Sequence, residues 1–228
     1  PLPLDASDWV KLNSSAFRRS CCQHLERLWG PGKRGFDGAN LDIEGFTDRS
    51  KRDGLTALVC ELRAAMSAKL PGSQLSFDSS ATPSEITSDS AYDYLGLSKC
   101  LDFFVPMCYD MCGGQPQPNS PLPLVKAGMR QYLRLGVKPS SLVTALPFYG
   151  YRVPCASLSS GSECHLGAQR SSTEFQTGYA AVLTKLLPNA IAPPAWNSSA
   201  QSPYFDYVTT TPPPQPPMPR PHPHGYME

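Results

Sequence analysis

Hydrophobic residues recur along the chain in two alternating periods. In residues 16–29 the apolar positions Ala16, Phe17, Leu25 and Leu28 sit among Arg and Gln at helical spacing, and Gly30-Pro31-Gly32 ends the pattern, which predicts a helix followed by a loop. Residues 36–44 read as a strand. Residues 53–69 place Leu55, Leu58, Val59, Leu62, Ala65 and Met66 on one stripe, a second amphipathic helix closed by Pro71-Gly72. A short strand over 74–78 and a short helix over 90–100 follow. The apolar run 101–110 suits a buried strand, 122–136 is helical with Gly136 as its stop, and 142–149 reads as another buried strand. Helix and strand therefore alternate four times, which implies parallel strands joined by crossover helices. Beyond Tyr151 the pattern changes to a Cys-flanked polar insertion, a helix over 178–187 and a Pro-rich stretch.

The first strand has two unlike faces. Successive strand residues point to opposite sides, so Ala39, Leu41 and Ile43 share one face while Asn40, Asp42 and Glu44 share the other. The second strand repeats this, with Leu75 and Phe77 against Gln74, Ser76 and Asp78. An apolar outer face covered by helices and an inner face ending in carboxylates fit the mouth of a parallel barrel, where chemistry sits at the carboxyl ends of the strands.

Composition narrows the partners. Of 228 residues, 20 are Lys or Arg and 19 are Asp or Glu, a net charge of +1, which argues against a nucleic-acid binder. The hydrophobic share of 40% is adequate for a core, and no run of eighteen apolar residues exists, so a membrane span is not expected. Proline is frequent at 25 residues, and eight of these fall between Thr211 and Glu228. Residues 1–208 are thus expected to form the domain, with 209–228 a Pro-rich disordered tail. His222 and His224 lie in that tail and reflect its composition.

The eight cysteines form no four-ligand zinc pattern, so no metal is expected. Cys155 and Cys164 close a short polar loop, which makes a disulfide plausible there. Together with the sequons Asn13-Ser14-Ser15 and Asn197-Ser198-Ser199, this favours a lysosomal or extracellular address, with the signal segment not part of these residues.

Asp42 and Glu44 lie two residues apart on one face, about 6.6 Å between attachment points, a spacing at which one carboxyl is expected to hold a proton and serve as general acid. The segment Asp37-Gly38-Ala39-Asn40-Leu41-Asp42-Ile43-Glu44 resembles the signature of glycoside hydrolase family 18, which usually carries Asp where this chain has Asn40. Met107-Cys108-Tyr109-Asp110 resembles the family's Met-x-Tyr-Asp strand end, and Leu146-Pro147-Phe148-Tyr149-Gly150-Tyr151 resembles the strand after the next helix. Asn40, the Ser76-Phe77-Asp78 strand end and the Tyr-Gly-Tyr ending are most similar to the family's chitobiase branch.

The resemblance implies a partial eight-stranded (β/α)8 barrel, roughly its fourth to seventh strands, with a small insertion after the last. It also implies a retaining glycosidase without a protein nucleophile, in which the 2-acetamido oxygen of the substrate attacks its own anomeric carbon. Glu44 would then be the general acid and later the base. Asp42 would orient the acetamido N–H and stabilise the oxazolinium ion, and Tyr109 would donate to the acetamido oxygen. Asn40, Asp78, Met107, Asp110 and Tyr149 would contact or line the sugar site. The expected partner is an N-acetylglucosamine oligosaccharide, and no cofactor is implied. Each role has a plainer rival: Tyr109 and Met107 as core, Asn40 as a group bonded only within the barrel, Asp78 as support.

An open half barrel exposes strand edges, so the chain is expected to be marginal alone or to self-associate. The alternative function is a non-catalytic sugar-binding or inactive truncated remnant of the same family.

Overall fold

Ser14 opens the first helix among the described residues, its Oγ accepting a hydrogen bond from the Phe17 N–H at 3.4 Å, a cap for one of the donors a helix start leaves unpaired. This helix, α1 (Ser15–Glu26), belongs to a computed structural model that describes residues 11–27, 36–45, 48–83, 91–111, 117–152, 157–158, 164–165 and 175–208. The chain divides into two compact units, Pro1–Met107 with Val125–Ala145, and Cys108–Leu124 with Leu146–Glu228.

The first unit is built on three parallel strands, β1 (Gly38–Asp42), β2 (Gln74–Ser80) and β3 (Phe103–Met107), in the order β1-β2-β3. Helix α2 (Arg52–Lys69) crosses from β1 to β2, and the short α3 (Tyr94–Leu97) precedes β3. The alternation seen in the sequence is thus realised as parallel pairing. Leu55, Leu58, Val59, Leu62 and Met66 of α2 are buried in one cluster with Leu41, Leu75, Phe77 and Phe104 of the sheet. Each buried aliphatic side chain of this kind contributes roughly 1.5–3 kcal/mol.

Aromatic rings extend that core. Tyr94 stands edge-on to Phe104 and to Tyr132, and Tyr132 lies on α4 (Leu122–Arg134). The buried Tyr132 hydroxyl bonds Ser79 Oγ at 2.8 Å and donates to the Ser80 carbonyl at 2.6 Å, so the burial of its polar end is compensated. Gly128 lets α4 approach the chain beyond β2: a Cβ there would lie 1.8 Å from the Ala81 carbonyl oxygen.

Arg63 of α2 gathers the loops entering the sheet. Its guanidinium donates to the Ser73 carbonyl at 2.8 Å and the Cys100 carbonyl at 3.2 Å and pairs with the Asp102 carboxylate, which also accepts from the Leu75 N–H at 2.6 Å. Cys60 and Cys100 form a disulfide beside it. The pair expected from spacing, Cys155 with Cys164, is outside what can be described, since Cys155 and the Cys164 side chain are not among the described positions.

The predicted buried strand over 142–149 needs correction. Leu142 and Ala145 pair beside β3, with Val143 N–H donating to Phe104 O at 2.9 Å and Ala145 N–H to Pro106 O at 3.0 Å. The stretch is not a buried strand throughout, for Val143 is 49%, Leu146 61% and Phe148 86% exposed. Leu142 still packs against the core, and among the described residues no further parallel strand pairs with the outer side of this stretch.

In the second unit β4 (Tyr149–Arg152) pairs antiparallel with β7 (Phe175–Gly178), and β5 (Ser157–Leu158) with β6 (Cys164–His165). The helix expected over 178–187 begins as α5 (Tyr179–Ala181), widens into a π turn over Val182–Leu186 and tightens over Leu187–Asn189. A hairpin of β8 (Ala195–Asn197) and β9 (Ser202–Tyr204) follows. The Pro-rich tail lies outside the described residues. No described helix is long and apolar enough to cross a membrane.

Candidate active site

The acidic face of the first unit is set by strand register. Asn40 is opposite Ser76 and Asp42 opposite Asp78, and one strand further Asp78 is opposite Val105 and Ser80 opposite Met107. Leu41 and Ile43 are buried with the helices, whereas Asn40, Asp42 and Glu44 are exposed. The structure therefore brings Asn40, Asp42, Asp78 and Met107 to one sheet face at the carboxyl ends of parallel strands, with Glu44 two residues past the end of β1.

Asn40 is committed at both ends of its amide. Its Nδ2 donates to Asp78 Oδ2 at 2.7 Å, and its Oδ1 accepts from the Ser76 hydroxyl at 2.7 Å. Burial raises the Asp78 carboxyl above its ordinary value, the Asn40 donor pulls it back, and the Asp42 charge adds to the rise. Asp78 thus holds its proton to a higher pH than a free aspartate.

The backbone between the two acids is tethered. Ile43 follows the last ladder residue of β1, and its carbonyl accepts a hydrogen bond from the Tyr92 hydroxyl at 2.9 Å. Gly45 then turns the chain at φ +66°, a conformation that suits glycine. Sequence reading passed over Tyr92 and the pairing role of Ser76. Tyr92 lies 49 residues from Ile43 and carries no motif, so no local signal marks it.

The second unit holds a separate cluster. Asp110 adopts φ +58°, and its N–H donates to Asn119 Oδ1 at 2.6 Å. Asn119 Nδ2 in turn donates to the Tyr149 carbonyl at 3.0 Å. The Tyr149 hydroxyl donates to Asp110 Oδ1, as does that of Tyr151 at 2.6 Å, and Gln176 donates to the Tyr151 hydroxyl at 3.1 Å. Burial first, then the bond to Asp110 and its charge, hold the Tyr149 hydroxyl protonated far above the ordinary tyrosine range. Tyr109 stands edge-on to Tyr149 with ring centroids 6.2 Å apart. Tyr109, Asp110 and Tyr149 are thus neighbours, and Asn119, which the sequence did not single out, is the side chain that joins their loop to β4.

Among the described residues no group of three His, Cys, Asp or Glu is placed to hold a metal ion. What the first cluster offers is proton chemistry from carboxyl groups on a polar face. The second offers hydroxyl donors fixed by a carboxylate.

Comparison with known proteins finds the model of glycosyl hydrolases family 18 matching residues 6–211. The di-N-acetylchitobiase of Rattus norvegicus is 32% identical over 191 residues, covering 77% of this chain and 51% of that protein. A Dictyostelium discoideum protein named probable di-N-acetylchitobiase 1 is 33% identical over 192 residues, covering 75% and 52%. Among solved structures a chitinase from Trichuris suis superposes with a TM-score of 0.70 at 23% identity, covering 88% of this chain and 60% of that one. The chain spans about half the length of the curated relatives it matches.

Proposed function

Since the chain belongs to glycosyl hydrolases family 18, we propose that it carries the acid machinery of a chitobiase-like glycosidase that cleaves β-1,4 bonds between N-acetylglucosamine units of chitin oligosaccharides or N-glycan cores. The observation that carries this reading is the acidic face itself: Asp42 and Glu44 at the carboxyl end of a parallel strand, with Asp78 in register beside them. In this reading residues 1–208 are part of a catalytic domain and its strands are the fourth to seventh of an eight-stranded barrel.

The mechanism follows from the groups present. Glu44 donates a proton to the glycosidic oxygen while the substrate acetamido oxygen attacks the anomeric carbon, then takes a proton from water to open the oxazolinium ion. Asp42 stabilises that cation, and Tyr109 donates to the acetamido oxygen. Asp110 binds a sugar hydroxyl through the carboxylate oxygen not used by the tyrosines. Met107 and Tyr149 line the sugar, and Asn40 and Asp78 act beneath it. No cofactor enters the scheme. A lysosomal or secreted setting fits an enzyme of oligosaccharide breakdown and the two sequons.

The test is release of fluorophore from a di-N-acetylchitobiose glycoside by the purified chain. Turnover that depends on Glu44 supports the reading, and none at any pH between 3 and 8 counts against it. The alternative reading is sugar binding without hydrolysis. Saturable binding of di-N-acetylchitobiose by calorimetry with no turnover identifies that case.

A further inference from the structure

The catalytic face is anchored by a residue outside it. Glu44 lies two residues beyond Asp42, the last residue of β1 in register with β2. A carbonyl at such a strand end loses its partner and must find another. For Ile43 that partner is the Tyr92 hydroxyl, 2.9 Å away, and Ile43 is the residue between Asp42 and Glu44. The Ile43 side chain is buried in the core, so the residue between the two acids is held by packing as well as by this bond.

Tyr92 is itself held. Its ring stacks on Tyr94 with centroids 5.9 Å apart and stands edge-on to Phe77 at 6.2 Å. Phe77 and Tyr94 are buried core residues. The hydroxyl therefore comes from a rigid aromatic group that is part of the same core as β1 and β2. An acid that must meet a glycosidic oxygen within hydrogen-bond reach needs that kind of support, because displacement by about 1 Å can cost a hundredfold in rate.

We propose that Tyr92 is a positioning residue for the general acid: through the Ile43 carbonyl it fixes the backbone that carries Glu44 relative to Asp42. The inference rests on the glycosidase reading for its consequence in turnover, and on the hydrogen bond alone for its consequence in structure. Tyr92 touches no substrate in this account.

Tyr92→Phe keeps the ring and removes the hydroxyl. Tyr94→Phe removes a hydroxyl from the same aromatic group without reaching Ile43, and serves as the control. In the full chain, with the fluorogenic chitobiose substrate, Tyr92→Phe is expected to lower kcat ten- to a hundredfold with KM within about twofold, at a temperature well below both melting points. Tyr94→Phe is expected to keep kcat. In parallel, carbon-13 spectra should show the Ile43 carbonyl moving upfield and the Glu44 carboxyl broadening in Tyr92→Phe only.

Wild-type kcat in Tyr92→Phe, or an equal loss in Tyr94→Phe, overturns the proposal. A wild-type chain without turnover sinks the glycosidase reading and leaves the positioning claim to the spectra. There, an unchanged Ile43 carbonyl and an unchanged Glu44 carboxyl in Tyr92→Phe overturn it, and their perturbation sustains it.

Discussion

Cys60, within α2, is joined by a disulfide to Cys100, in the turn that leads into β3, with Cα atoms 5.0 Å apart. The bond closes a chain separation of 40 residues and fastens the helix that covers the sheet to the entry of its third strand.

Closing a loop of that length restricts the unfolded chain by about 3–4 kcal/mol in the chain-entropy model. The double variant Cys60→Ser with Cys100→Ser should lose a comparable part of its unfolding free energy. Urea denaturation followed by tryptophan fluorescence measures this, and an unchanged midpoint contradicts it.

Gly128→Ala should destabilise the chain by about 2–3 kcal/mol. An exposed helical glycine replaced by alanine normally gains roughly 1 kcal/mol. Here the new Cβ meets a backbone carbonyl at 1.8 Å and α4 must move. A thermal melt that stays level or rises refutes the close approach.

Asp78 gives stability a pH slope of definite sign. Its folded-state value lies above the ordinary 3.8, so in the window above 3.8 the folded chain binds more protons than the unfolded one. This group's contribution is therefore favourable at low pH and declines as pH rises through that window. Asp78→Asn should remove the decline above pH 3.8. Parallel slopes for both proteins in urea midpoints across that range contradict the assignment.

Cys108, between Met107 and Tyr109, is fully buried, and burial pushes its thiol up to about 11. It should resist iodoacetamide at pH 8 in the native chain and react once urea unfolds it, because the thiolate is the reactive form. Peptide mapping by mass spectrometry reads the modification. Rapid native labelling at Cys108 counts against its burial.

Glu44→Gln should abolish hydrolysis of the chitobiose glycoside, by at least a hundredfold in kcat, while binding stays within a few-fold. The amide keeps the shape and loses the proton. Equal rates remove Glu44 from the acid role.

The sequence by itself determined the elements whose signal is local. Leu41 and Ile43 against Asn40, Asp42 and Glu44 follow from a period of two. The stripe Leu55, Leu58, Val59, Leu62 and Met66 follows from a period of 3.6. Alternation of those elements was enough to place parallel strands and put carboxylates at their ends, and the order of motifs was enough to identify the family. Tertiary structure decided what no period encodes. Tyr92 reaches Ile43 from 49 residues away, Cys100 reaches Cys60 from 40, and Asp78 meets Asn40 from 38. Each pair depends on which strands become neighbours and in what register. The stretch 142–149 shows the same limit from the other side. An apolar run states a capacity for burial, and only the presence of a covering partner turns that capacity into a core.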